Sequence, residues 1–233
     1  GTNVLPMMLT DKNYDGYQMT NAVYASIETL LPASLTLTYG ARYTWVKTDM
    51  DSINNNMGTK TSGEGSDGKI VFNAGVLWHG TDNLTLRASY AQGYRSPILQ
   101  ELYIDTSMGS TGTTYANPDL KPETSNNFEV GARWMSNSIM LDAAMFYSKA
   151  KNYIQALPIS SSLSRYENVG EATTYGLELT GSYEIKSIGL EPYVNLTLMR
   201  RQFDYGNVET YKTATPAVIA RYGFRWNGEA NGL

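Results

Sequence analysis

Two groups of side chains carry the chemistry open to this sequence. The first is Tyr94, Arg95, Gln100, Tyr103, Tyr115, Tyr153, Gln155, Arg165 and Tyr166, set in stretches rich in Gly, Ser, Asn and Thr. Aromatic rings stack on flat ligands, and guanidiniums add cation–π contact and charge-assisted hydrogen bonds, so the group suits a flat, anionic ligand such as a catecholate chelate. Taken singly, each of these residues serves equally well to pack a loop. The second group is Arg42, Arg87, Glu129, Arg133, Asp142, Glu178, Arg221 and Arg225, which fall in the middle of otherwise apolar segments. Charge at such places is costly unless it meets water or a partner, so these residues must line something wet.

Enzyme chemistry finds no footing. The single histidine, His79, stands beside Gly80 in a tight turn, and there is no cysteine and no Gly-x-Ser-x-Gly. Neither a Ser-His-Asp arrangement nor a histidine metal site can be assembled from this set. We expect no catalytic residue, no metal ligand and no cofactor. A net charge of −4 offers no basic footprint for nucleic acid.

The elements that must position these residues show a period of two. In Leu35-Thr-Leu-Thr-Tyr-Gly-Ala-Arg-Tyr-Thr-Trp45 every odd position is apolar. Side chains of a strand point alternately to opposite faces, so the segment has one apolar and one polar face. Leu84–Tyr90, Phe128–Trp134, Tyr175–Tyr183 and Val218–Trp226 repeat the pattern. Nine strands are expected near 17–28, 34–48, 69–78, 84–94, 125–134, 139–149, 171–184, 190–203 and 215–226. The polar face holds the charged group, which points to a barrel wet inside and apolar outside.

The gaps have a rhythm of their own. Tight turns at 29–33, 79–83, 135–138 and 185–189 alternate with long connections at 49–68, 95–124, 150–170 and 204–214. Short turns at one end and long loops at the other are how bacterial outer-membrane barrels are built. Strands running toward the short turns end in Trp78, Trp134, Tyr183 or Trp226, and the opposite ends carry Tyr43, Trp45, Tyr90, Tyr94 and Tyr147. Such placement matches the two aromatic girdles at the membrane interfaces. No apolar run approaches the ~18 residues of a membrane-spanning helix. Nine strands is an odd number and Asn227–Leu233 reads as a turn or tail, so the chain is expected to be part of a larger barrel with its closing strands outside it.

One stretch resembles a known family. Tyr94-Arg-Ser-Pro97, Glu101-Leu-Tyr103 and Asn117-Pro-Asp-Leu-Lys-Pro-Glu123 through Gly131 are similar to the barrel of TonB-dependent outer-membrane receptors, with its aromatic-Arg-Ala-Pro segment ahead of Asn-Pro-x-Leu-Lys-Pro-Glu. Tyr166-Glu-Asn-Val-Gly-Glu-Ala172 and Tyr175-Gly-Leu-Glu178 fit the same family, as do Asn21–Glu28 and Leu35–Tyr43. The resemblance implies a barrel of about 22 strands around a plugged lumen. A plug domain with its TonB-binding box would lie outside this chain. The lumen charges would then face the plug, and the long loops would face outward to meet the ligand.

For the motif itself we expect loop shaping. Pro118 and Pro122 fix their own φ and push Asn117 and Lys121 toward extended backbone, while Gly170 and Gly176 permit bends or close backbone approach. Function in this reading is TonB-coupled uptake of a ferric siderophore, with the TonB system, outer-membrane lipid and a small ligand as partners. A cobalamin receptor of the same family, a passive substrate-specific porin and a secreted β-rich binding module are the alternatives. Haem receptors of the family carry a ligating histidine between the two motifs, and residues 95–116 contain none. Replacing Tyr103 or Arg165 with Ala is expected to weaken binding by roughly 1–3 kcal/mol if either anchors the ligand. Folding should change little, because loops carry less of the wall's hydrogen bonding.

Overall fold

The computed structural model describes residues 14–53, 62–107, 112–206 and 208–227. In chain order its elements are β1 (Tyr14–Leu31), β2 (Leu35–Ile53), β3 (Gly63–His79), β4 (Leu84–Arg95), α1 (Leu99–Tyr103), β5 (Thr106–Ser107) and β6 (Thr113–Tyr115). There follow β7 (Glu123–Met135), β8 (Ile139–Pro158), β9 (Leu163–Tyr183), β10 (Leu190–Asp204), β11 (Glu209–Thr210) and β12 (Val218–Trp226). The nine long strands form one wall in the order β1-β2-β3-β4-β7-β8-β9-β10-β12, each antiparallel to its neighbours and open at both edges. Sequential antiparallel pairing joined at one end by short turns is what the nine period-two segments predict.

Register carries one apolar phase across the wall. Tyr90 pairs with Ala74 and Phe128, and Tyr147 pairs with Phe128 and Tyr175. A one-residue slip anywhere would exchange the faces. The charged group keeps to the other phase, with Arg87 opposite Gly131, Arg133 opposite Asp142, Glu178 opposite Ala144 and Arg225 opposite Glu191. Phe128, Val130, Leu141, Met145 and Val194 are 48–59% exposed, and among the described residues no second sheet covers them. A sandwich would bury that face against another sheet. The secreted-module alternative therefore falls away, and the apolar face is the lipid face of a barrel wall.

The short-turn end is tied down by its aromatics. The Trp78 indole donates to the Ala33 carbonyl (3.1 Å) and the Trp226 indole to that of Ile188 (3.0 Å). His79 lies at this end, exposed, its ring nitrogen 3.1 Å from the Thr85 hydroxyl.

The other end differs from expectation. β8 continues to Pro158 and β9 starts at Leu163, so most of 150–170 is a tall hairpin closed at 159–162 and not a long loop. Tyr153, Ile154, Leu157, Tyr166 and Val169 are strand formers and keep the ladder going, while Asn152 takes the left-handed conformation (φ 54) that Asn tolerates. Likewise β2 reaches Ile53 and β3 begins at Gly63; the rest of the expected 49–68 loop, residues 54–61, lies outside the described residues, as does the tail from 228. The buried apolar cluster sits at this end too. Met50 from β2, Leu102 and Tyr103 from α1, Leu120, and Ile154 from β8 pack together, with Leu99, Ile104 and Tyr166 against them. A barrel wall has no core of its own, so an apolar cluster here means that the connection from β4 to β7 has folded inward.

Candidate ligand-binding mouth

The connection from β4 to β7 spans residues 96–122 and is held by named pairs. Arg95 ends β4 and reaches both Glu101 (3.0 Å) and Glu123 (2.6 Å). Glu123 and then Glu101 keep its guanidinium charged well above the ordinary range. Glu101 also accepts from the Ile98 amide (3.0 Å), satisfying a donor at the start of α1 as a capping carboxylate does. Glu123 accepts from the Ile154 amide (2.8 Å), which ties the same knot to β8. One guanidinium thus fixes the start and end of the connection to the wall.

A second knot lies at Asn117, buried to 4% exposure. Its amide nitrogen donates to the Tyr166 carbonyl (2.9 Å) and to Glu167 (3.2 Å). Its side-chain oxygen accepts from the Asp119 amide and from Arg165, both at 3.1 Å, and its backbone N–H donates to the Glu101 carbonyl (2.8 Å). Asn168 completes the attachment, accepting from the Lys121 amide (2.7 Å) and donating to the carbonyls of Lys121 (2.9 Å) and Asn152 (2.7 Å). Backbone polar groups that would otherwise be stranded by an inward-folded loop are satisfied in this way.

The glycines have their own reasons. A Cβ on Gly170 would lie 2.5 Å from the Asp204 carbonyl oxygen, and one on Gly176 would lie 2.3 Å from that of Leu198. Both positions serve close backbone approach, as expected. Above them Tyr153 stacks on Phe203 (5.5 Å between centroids), and the Tyr205 hydroxyl donates to Gln155 (3.1 Å).

The loop-side candidates therefore scatter into different roles. Tyr103 is 5% exposed and belongs to the apolar cluster. Arg95 and Arg165 are each engaged by carboxylates, Arg165 with Glu167 at 3.3 Å, so neither guanidinium stands free to receive an anion. Tyr94 lies near the end of β4 against Asp67. Tyr153, Arg165 and Tyr166 stand on strands of the tall hairpin, and Tyr115 pairs with Arg165 through β6. Gln100 and Tyr166 do share a cavity, between β5, β6 and the tip of β8–β9. Sequence reasoning missed Glu101, Asn117 and Asn168 as holding residues. The one visible signal was polar side chains repeated in segments with no strand alternation.

On the lumen face Arg87 bridges Glu129 (3.0 Å) and Asp142 (2.9 Å), and Arg133 reaches Asp142 (2.7 Å). Arg87 lies over Gly131, where a Cβ would come within 2.6 Å of its guanidinium carbon. Arg225 pairs with Glu191 (3.3 Å) and Arg42 donates to Thr44 (3.1 Å). The network joins β4, β7 and β8 inside the wall, where isolated charges would be costly.

Comparison with known proteins places this geometry. A Yersinia enterocolitica protein named "Hemin receptor" is 29% identical over 176 residues, 62% of this chain and 26% of its own. The "Ferric-pyoverdine M114 receptor PbuA" of Pseudomonas sp. (strain M114) is 27% identical over 185 residues, 77% of this chain and 20% of its own. The chain thus spans no more than about a quarter of these relatives. In the structure of "Copper transporter OprC" the fold recurs with a TM-score of 0.77 at 17% identity, over 92% of this chain and 34% of that one. The model of the TonB-dependent receptor-like β-barrel matches residues 2–232, and the chain belongs to that family of Gram-negative outer-membrane barrels.

Proposed function

We propose that the chain is a length of wall and outer mouth of a receptor that takes up a ferric siderophore across the outer membrane, driven through TonB. The plug domain and the closing strands lie outside it, and the lumen charges Arg42, Arg87, Glu129, Arg133, Asp142, Glu178, Arg221 and Arg225 face the plug. The observation that carries the reading is the connection 96–122, clasped inward at the long-loop end by Arg95 and Asn117. A passive porin needs an open mouth, whereas a receptor needs a built surface there. Among the described residues no nucleotide site is offered, and in this reading the energy comes from the TonB partner.

Relatives differ in what they are named for, and haem is the second reading because of the Yersinia relative. Against it, no histidine lies between Arg95 and Asn117 to ligate haem iron. The test is uptake by the intact receptor in cells with and without TonB, using ferric siderophores, cobalamin and haem. Uptake that needs TonB and proton-motive force is expected. Unchanged uptake without TonB would favour the porin, and haem binding with an axial ligand from this chain would replace the siderophore reading.

A further inference from the structure

Charge is absent from two separated stretches of this sequence. No Asp, Glu, Lys or Arg occurs between Asp105 and Asp119, or between Lys151 and Arg165, although both stretches are dense in Ser and Thr. The fold brings them together. β6 runs parallel to the start of β9, with Thr113 opposite Leu163 and Thr114 opposite Ser164, and the Thr113 amide donates to the Ser162 carbonyl (2.9 Å). Between the β5–β6 hairpin and the β8–β9 tip lies a cavity of about 570 Å³. Thr106, Thr113, Thr114, Ser160, Ser162 and Tyr166 line it, and among the described residues its lining includes no charged side chain. Its volume lies within the range of small-ligand sites.

We infer that this cavity binds an uncharged, oxygen-rich ligand surface, so that the receptor selects against anionic chelates. The inference rests on the receptor reading. An anion entering the cavity would lose hydration with no cation to replace it, since Arg165 is spent on Glu167 and Asn117. A neutral ligand rich in hydroxyl or carbonyl oxygens exchanges water for Ser and Thr hydroxyls, which both donate and accept. The Tyr166 ring offers an apolar face beside them. A neutral ferric trihydroxamate and a neutral oligosaccharide share this chemistry.

The experiment measures binding to the intact receptor at physiological salt. Its probes are a neutral ferric trihydroxamate, an uncharged glucan oligosaccharide and a triply anionic ferric tricatecholate. One neutral probe is expected to bind at least tenfold tighter than the anionic chelate, and which of the two it is separates the sources. Thr114→Ala and Ser162→Ala should each weaken that binding by about two- to tenfold, the loss of one hydrogen bond. Ser162→Lys should shift preference toward the anionic chelate by tenfold or more. Since Ser162 sits in a turn, its variants report even if Thr114→Ala disturbs the β6 pairing; barrel mobility on unheated gels confirms folding. Preference for the anionic chelate, no binding of either neutral probe, or indifference to the Ser162 changes would overturn the inference. TonB-dependent uptake of an anionic chelate sinks this inference and spares the receptor reading. TonB-independent uptake with neutral binding intact does the reverse.

Discussion

Replacing Asn117 with Ala removes four side-chain hydrogen bonds: two donated to Tyr166 and Glu167, and two accepted from Asp119 and Arg165. Some of the freed partners lie near the rim and regain water, so the net value of each bond is taken at the low end, about 0.5–1 kcal/mol. The total is about 2–4 kcal/mol of local stability, lost from the clasped connection and not from the wall. At about 1.4 kcal/mol per decade that is a roughly 30- to 1000-fold rise in the population of the opened loop. Amide hydrogen exchange on the intact receptor in detergent reads this directly. Exchange should speed up by that factor at Leu102, Ile104 and Lys121. The β7–β8 ladder amides, such as those of Val130 and Met145, should not move. Equal acceleration in the wall would show that connection and barrel open as one unit. No change in the connection would show that Asn117 does not hold it.

Three further expectations follow from the same geometry. Tyr103→Ala should cost about 3–5 kcal/mol of the connection's local stability, the usual price of emptying an aromatic site, so exchange there should rise even without ligand; an effect on binding alone would return Tyr103 to the ligand. Arg87→Met leaves the Glu129 carboxylate without its cation and Asp142 with Arg133 alone, and should lower stability by about 1–3 kcal/mol, read as the temperature at which gel mobility changes; adding Glu129→Gln should recover part of the loss, and a double variant no better than the single would refute the pairing. Gly170→Ala sets a Cβ against the Asp204 carbonyl and should cost about 1–3 kcal/mol, with faster exchange at Phe203 and Asp204 while Leu196 and Leu198 stay protected. Undisturbed exchange at Phe203 would show that β10 can shift aside.

What could be read from the sequence was local and periodic. Alternation in Leu35–Trp45 and its repeats reports which side chains share a face, because the pleat imposes a period of two whatever the partner strand. Nine strands, two faces, the charged phase from Arg42 to Arg225, and a short-turn end marked by Trp78 and Trp226 were all legible on that ground. The strands' outer limits were not, because Asn152 and Gly170 look like loop residues, and only the pairing of their neighbours, Lys151 with Glu171 and Tyr153 with Val169, carries the ladder past them.

The mouth belongs to the tertiary structure alone. Arg95 reads from sequence as a free cation for an anionic ligand, and only the path of the chain brings Glu123, 28 positions away, to its guanidinium. Asn117 meets Tyr166 across 49 positions, and Asn168 meets Lys121 across 47. Such pairs carry no periodic signature, since they depend on a backbone turning inward across the sheet. That inward turn buries Tyr103, neutralises Arg95 and sets the uncharged Thr114 and Ser162 around one cavity at the outer end. A strand's faces follow from its own residues, but a loop's charge is known only once its partners are in place.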